Sequence, residues 1–511
     1  MNTYVCCGFQ PDTALGVAKL VARYSGNKKM LAIQKHLSKS FLAILSLPAT
    51  AFGFALSVQI SALSWILSTK FGLEVHDIGL VWAAGPLAGI FGQVIIGGLS
   101  DRVWLWNGRR RPFIIIGGLT ASLALLALPS IDVITASLGF TGMLGVAMAV
   151  VLSLDVAINV GFNPTRAIIA DVTPEGVDRT RGFTWMQTVS GTISVGAYAI
   201  GAIFDNIMLI YVGAVLVLLF TVFPPLMVEE PKDLGVDLRE SGRKPERASI
   251  KEMLMSIQPL WGFLIYDVYA MTLRLSGIQY EHYYAEMVCG LLTIVLVFKS
   301  LMTRENDLDP AAAAGVGFRK ILSAHSFSWI GIHTTFVFMF IYIQSSMSGL
   351  TGIEAGRVTT LAFLVLNAVA AVLPVLLLQP VSKVIGRVRT HAISIFIMAG
   401  GYIGLLLFGT TPTAIYILMA VVGVGWASMV SLPFAIMSQK VEEGQMGLYM
   451  GLFNLSVVLP QLVVSLGVSL AVSRAEDKSI IFLISAFALA LSAISWLLIH
   501  DDDGHVDAAS D

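Results

Sequence analysis

Apolar residues in this chain come in long blocks separated by short polar breaks. A helix crossing a bilayer needs about 20 consecutive, mostly apolar residues. Runs of that kind fall at about 41–67, 78–99, 112–129, 138–161, 183–204 and 207–228. A charged stretch follows, VEEPKDLGVDLRESGRKPERASIKE. Two further runs lie at about 257–273 and 285–302, and then comes a polar stretch containing TRENDLDPAAAAGVGFRK. The last six runs lie at about 326–348, 358–381, 390–409, 414–437, 447–471 and 479–499. The pattern predicts an all-α membrane protein with fourteen transmembrane helices.

Composition agrees. Of 511 residues, 56% are hydrophobic and only 13% are charged, where a soluble domain carries about 25%. The net charge of -1 gives no sign of a nucleic-acid partner, and the informative feature is where the charges lie. Cytoplasmic loops collect Lys and Arg. With the N-terminus inside, 26 of the 32 Lys and Arg fall on the cytoplasmic side. Lys70, Arg274, Arg357, Arg474 and Lys478 fall outside, and Arg166 in or near a span. Both termini are therefore expected in the cytoplasm of a multi-pass cell-membrane protein. The first 38 residues lack a signal-peptide pattern, and Met30, ahead of a basic lead-in, is a candidate start. Cys6, Cys7 and Cys289 offer neither zinc spacing nor a disulfide framework; Cys6-Cys7 is at most an acylation site.

The chain also repeats itself. SDRVWLWNGRRR follows the second span, and VSKVIGRVR, with Lys383, Gly386, Arg387 and Arg389, follows the second span of the last six. AIIADVTPEG at 167–176 aligns without gaps to AIMSQKVEEG at 435–444, each closing the fourth span of its set. Two parallel six-span repeats with a cytoplasmic link fit the major facilitator architecture. The expected divisions are a cytoplasmic segment 1–40, a bundle 41–228, a linker region 229–325 holding the extra pair, a bundle 326–499 and a cytoplasmic tail 500–511. In the first basic loop, Asp101, Arg102, Gly108, Arg109, Arg110 and Arg111 are candidates for a gating latch. Glycine permits a tight turn, and the arginines can meet acidic residues and helix C-termini. The same loop also serves as a topological anchor.

The sharpest chemical signal is VVLSLDVAINVGFNPTRAIIAD in the fourth span. A charge at mid-span costs roughly 2.5–3.5 kcal/mol on insertion scales, so Asp155 needs a partner or a task. Asn159 is one turn on. Arg166 returns to the same face roughly 16 Å along the axis. Pro164 removes the helix donor for the Val160 carbonyl, and Gly161 loosens the same turn. Asp155 and Arg166 are expected to serve proton coupling, or else to form a buried structural link. Gln59, Gln93, Asn159, Asn163, His333, Asn367 and Asn454 suggest an amide-lined cavity suited to hydroxyl-rich ligands, although any one of them can be an interhelical hydrogen bond. Trp426, in GVGWASM, could stack on a sugar face or simply pack.

Several motifs carry a family resemblance. GLVWAAGPLAGIFGQVIIGGLSDRVWLWNGRRRPFIIIGG resembles the W-x-x-G-P-x-x-G…G-R-R-R-P-F stretch of sucrose–proton symporters, through Trp82, Gly85, Pro86, Gly89, Gln93 and Arg109–Phe113. Asp155, Asn159, Pro164, Arg166 and Asp171 match that family's L-D-x-A-x-N…P-x-R-A-x-x-A-D segment. GLYMGLFNLSVVLPQ, with Asn454, Pro460 and Gln461, is similar to its eleventh-span motif. The resemblance places the chain with the glycoside–cation symporters and implies proton-coupled uptake of sucrose or maltose, with Asp155 as proton carrier and Arg166 as a partner for it or for the sugar. The departures are the two spans within 257–302, Val94 where plant members have Pro, and the first-span stretch FGFALSVQISALSW. The alternatives are a sodium-coupled glycoside carrier, an uncoupled facilitator or exporter, and a membrane sugar sensor. No P-loop, catalytic triad grouping or metal cluster is legible, so an enzyme is not expected. No cofactor is implied. The expected partners are the sugar, a proton and the lipid bilayer, with the chain acting as a monomer.

Overall fold

The computed structural model describes residues 37–89, 103–174, 177–230, 250–276, 283–305, 308–441 and 446–500. Gln93, Asp101, Arg102, Cys6-Cys7 and the candidate start Met30 lie outside the described residues. The described chain is helical, and helix occupies each predicted apolar run as far as the run is described; residues 90–99 of the second run lie outside the described residues. The first six are α1 (Lys39–Thr69), α2 (Val75–Trp82), α3 (Arg111–Ser137), α4 (Met143–Val172), α5 (Val177–Ile203) and α6 (Asn206–Met227). The extra pair is α7 (Trp261–Ser276) and α8 (Tyr284–Met302). The last six are α9 (Pro310–Ser346), α10 (Gly352–Leu373), α11 (Arg387–Phe408), α12 (Pro412–Gln439), α13 and α14 (Ile480–Leu497). Helix α13 runs from Met446–Val463 through a π-helical turn, Val464–Val468, into Ser469–Arg474.

Among the described residues, eleven of these helices are long and apolar enough to cross a membrane. The other three are α2, α5 and α7. Helix α2 is described only in its first part and breaks at Ala83, because Pro86 has no N–H for the Trp82 carbonyl. Helix α5 is rich in Ser, Thr and Gly, and α7 has only 16 residues.

The two bundles repeat one packing scheme. In each, the first helix packs against the fifth and sixth, and the third against the fourth and sixth. Between bundles the scheme is reciprocal: α2 packs on the end of α13, and α10 packs on α5. Small residues set the closest approaches. A Cβ at Gly117 of α3 would lie 2.8 Å from the Ala157 carbonyl of α4. Gly161 leaves the space that the Phe52 ring of α1 fills, a packing role beyond the loosened turn expected for it.

One expected boundary moves. Residues 310–325 are not linker but roughly the first four turns of α9. The Asp309 side chain accepts the Ala312 N–H at 3.0 Å, Pro310 takes the first turn, and the alanines that follow are the best helix formers. The fourth span also shifts: α4 ends at Val172, which puts Arg166 within it and Asp155 near its middle.

Gly161→Val is expected to force the Phe52 ring from its seat, at a cost of about 1–3 kcal/mol. A lowered thermal-unfolding midpoint of the detergent-solubilised protein checks it; an unchanged midpoint contradicts the packing.

Candidate functional site

The site begins at Asp155, which is 4% exposed on α4. Its Oδ2 accepts a hydrogen bond from Gln59 Nε2 of α1 at 3.1 Å. On the other side stands Gly85, beyond the break in α2, where a Cβ would lie 3.5 Å from both carboxylate oxygens. Asn159 donates to the Asp155 backbone carbonyl at 2.8 Å. Arg166, expected to pair with Asp155, does not: among the described residues the two form no ion pair. Its guanidinium stacks 4.4 Å from the centre of the Phe162 ring, one turn back on the same helix. Eleven residues of helix separate the two charges by roughly 16 Å, and the nearest partner for Arg166 is its own helix. Gln59, expected to face a ligand, is the residue that answers Asp155.

Exposure rises along this stripe. Asp155 is buried, Asn159 and Asn163 are half-buried, and Arg166 is exposed. The polar face of α4 therefore opens toward the end of the bundle that carries Val172.

The second bundle supplies an opposing wall. Trp426 Nε1 of α12 donates to Asn367 Oδ1 of α10 at 3.2 Å, and Asn367 Nδ2 donates to the Phe363 carbonyl at 2.9 Å. The Trp426 ring meets Phe336 and Trp329 of α9 edge-on, at 5.3 and 6.2 Å. The Tyr198 ring of α5 meets the Phe363 ring of α10 at 6.4 Å, and its hydroxyl lies near Ser57 of α1 and Asn367. Sequence reasoning missed Tyr198; the signal was a lone hydroxyl-bearing ring among small residues, SVGAYAIG. Asn163 and Asn454 are half-buried and make no side-chain hydrogen bond among the described residues.

The bundles close against each other at one end. Trp65 Nε1 donates to the Gly352 carbonyl at 2.8 Å, and Ser64 Oγ to the Val337 carbonyl at 2.7 Å. Ser68 donates to Gln344 Oε1 at 3.0 Å, Thr360 to Asn206 Oδ1 at 2.9 Å, and Arg357 Nε to the Phe204 carbonyl at 2.9 Å. Trp82 Nε1 donates to Ser64 Oγ at 2.9 Å, and its ring meets the buried His333 edge-on at 5.7 Å. His333 thus belongs to the closed end rather than to the wall around Trp426. All of these contacts lie at the ends of the helices away from residues 39 and 497. At the opposite end, among the described residues, no hydrogen bond or ion pair joins the bundles.

That opposite end holds the basic loop. Leu105 and Gly108 pair across a two-residue turn, with Trp106 at φ 52° and Asn107 at φ 57°. The left-handed residues are therefore Trp106 and Asn107, not the expected glycine. Gly108 is required for another reason: a Cβ there would lie 2.5 Å from Glu230 Oε1. The Glu230 carboxylate accepts the backbone N–H groups of Arg109, Arg110 and Arg111 at 2.7, 2.7 and 2.8 Å, where α3 begins. An anion at a helix N-terminus meets unsatisfied N–H groups and a favourable dipole. Arg110 Nε pairs with Asp171 at the end of α4 at 2.9 Å, and Arg111 Nη2 donates to the Val228 carbonyl at the end of α6 at 2.5 Å. The loop ties α3, α4 and α6 together. In the second basic loop the glycine does take the positive φ, with Gly386 at 86°.

Residues 45–465 match the profile of the Major Facilitator Superfamily. The sucrose transport protein SUT2 of Oryza sativa subsp. indica is 26% identical, with 81% of this chain and 83% of that protein covered. The sucrose transport protein SUC4 of Arabidopsis thaliana is 24% identical, with 84% of each chain covered. Among solved structures, the POT family transporter PepTSo superposes with a TM-score of 0.61 at 13% identity, covering 90% of this chain and 98% of that one; at that identity the likeness concerns the fold alone.

Replacing Glu230 by Gln removes the negative charge that three amides converge on. A loss of about 1.5–3 kcal/mol is expected, the range for hydrogen bonds to charged groups. Thermal unfolding measured in detergent checks it, and unchanged stability would show that the amides do not need the charge.

Proposed function

The chain belongs to the Major Facilitator Superfamily, and we propose that within it this protein imports a disaccharide or related glucoside, sucrose or maltose, together with a proton. The fold is that of a transporter rather than an enzyme. The observation that carries the reading is Asp155: a carboxylate buried in the fourth span, met by a neutral amide instead of a cation. Across from the first bundle stand the amide of Asn367 and the ring of Trp426, and the Tyr198 hydroxyl faces them from α5. An aromatic face with amide donors and acceptors suits a sugar ring, whose C–H surface stacks and whose hydroxyls hydrogen-bond. The similarity to sucrose transport proteins over most of the chain supports the same substrate class.

With both termini cytoplasmic, the closed end faces outward, which supports an inward-open reading. In the outward-open state Asp155 takes a proton, which removes a charge that the bilayer interior penalises. Gln59 then becomes available to the sugar as Asp155 no longer needs its donor. The bundles rock about the site, closing through the Trp65, Ser64 and Asn206 contacts and opening the Arg166 end. Proton and sugar leave toward the cytoplasm. Arg166, stacked on Phe162 at the open end, presents forked donors to departing hydroxyls. One inward proton gains about 2.3 kcal/mol per 100 mV, enough to hold roughly a 50-fold sugar gradient at 1.4 kcal/mol per tenfold. A sodium-coupled carrier would want oxygen ligands around the carboxylate, and the partner of Asp155 is an N–H donor.

In proteoliposomes with an imposed inward pH gradient and no sodium, labelled sucrose or maltose should accumulate, and a protonophore should abolish it. Sugar binding without pH-driven accumulation would overturn proton coupling. The Asp155→Asn carrier should lose accumulation and keep sugar exchange across the membrane; full accumulation would remove Asp155 from the coupling. Arg166→Lys should slow uptake, whereas wild-type rates would show that a point charge suffices.

A further inference from the structure

The extra pair holds a second buried carboxylate. Asp267 of α7 is 5% exposed, and among the described residues neither of its oxygens has a hydrogen-bond partner. One turn further on the same face, Ala270 and Met271 pack on a cluster formed by Leu80 and Ala83 of α2 with Leu462 and Leu466 of α13. That cluster is the seam between the bundles at their closed end. Beside Asp267, the Tyr266 hydroxyl occupies the space a side chain at Gly467 would need, in the π-helical turn of α13. The same turn carries Ser465, 3.5 Å from His333 Nε2 in the closed-end contact. The extra pair is therefore not lipid-side decoration: one turn from its buried acid it packs on the seam that alternating access must open.

We propose that Asp267 is a second proton-binding site, occupied while the α2–α13 seam is closed and emptied when the seam opens and water reaches it. A buried polar group without a partner is costly, and a buried charge without one far more so; a proton removes the charge. The charged and titratable groups around Tyr266 are Asp267 and Arg274 on α7 and Glu286 and Cys289 on α8. Arg274 is exposed and forms no ion pair with Asp267 among the described residues. Glu286 Oε2 is itself buried without a partner. His76 and Asp77 pair with each other at the tip of α2, and Arg474, at the end of α13, stacks on Tyr283. Opening the seam exposes the carboxyl, and the proton departs to water. An acid exterior reloads it and favours closure at the outer end, the direction of import.

The proposal rests on the inward-open reading and on alternating access, so its test includes a signal that does not need sugar. Infrared spectra of the protein in lipid vesicles, stepped from acid to alkaline pH, report protonated carboxyl groups directly. Asp267→Asn should remove the signal of one protonated carboxyl that persists in Asp155→Asn, and Asp267→Glu should restore it. No difference between wild type and Asp267→Asn would overturn the site. In uptake assays, the slope of log rate against external pH should fall from about two protons to about one in Asp267→Asn. A slope identical to wild type would overturn the link to the seam. If the wild type moves no sugar under any proton gradient, the transport reading fails while the infrared result still decides Asp267.

Discussion

A charge inside a bilayer has no water to answer it, and the protein must supply the answer. Much of the architecture can be read from how that constraint is met. At Glu230 the answer is three backbone N–H groups at the start of α3. At Asp171 it is the Arg110 guanidinium. At Asp155 it is one amide from Gln59 and a glycine that lets α2 come close. At Asp267 no side chain answers. The sequence of partners runs from strong to absent, among the described residues, as the groups move from the loop ends into the bundles.

The reciprocal packing of the bundles gives this chemistry a mechanical setting. Each second helix leans on the fifth helix of the other bundle. Gly85 and Leu80 both belong to the second-helix segment, so one element touches the Asp155 carboxylate and the closed-end seam. A displacement of that segment alters the surroundings of Asp155 and the cover over Asp267 together. At the closed end the bundles are joined by hydrogen bonds to backbone carbonyls and by the Trp82–His333 ring contact. Apart from the exposed Arg357, these contacts are neutral and can be exchanged for water without uncovering a charge.

The extra pair is tied to the second bundle at the other end of the molecule. Glu305, just after α8, lies between Lys320 of α9 at 3.0 Å and Lys440 at the end of α12 at 3.6 Å. Glu230 performs the corresponding service for the first bundle. Each link region thus places a carboxylate on a helix terminus or on basic side chains of the bundle beside it.

The sequence by itself determined where the helices lie, because span length and apolar composition follow from bilayer thickness. It also determined that there are two related bundles, that Asp155 and Asn159 share a face of α4, and that the basic loop meets acidic residues and helix ends. Helical periodicity fixes which residues of one helix point the same way. It does not say which helix stands opposite. The partner of Asp155 was therefore not Arg166, eleven residues away on its own helix, but Gln59, 96 residues away on another. For the same reason Tyr198, Glu230 and the seam position of Asp267 were hidden, and His333 moved from the expected cavity to the closed end. Those outcomes depend on which faces the bundles turn toward each other, and only packing in three dimensions decides that.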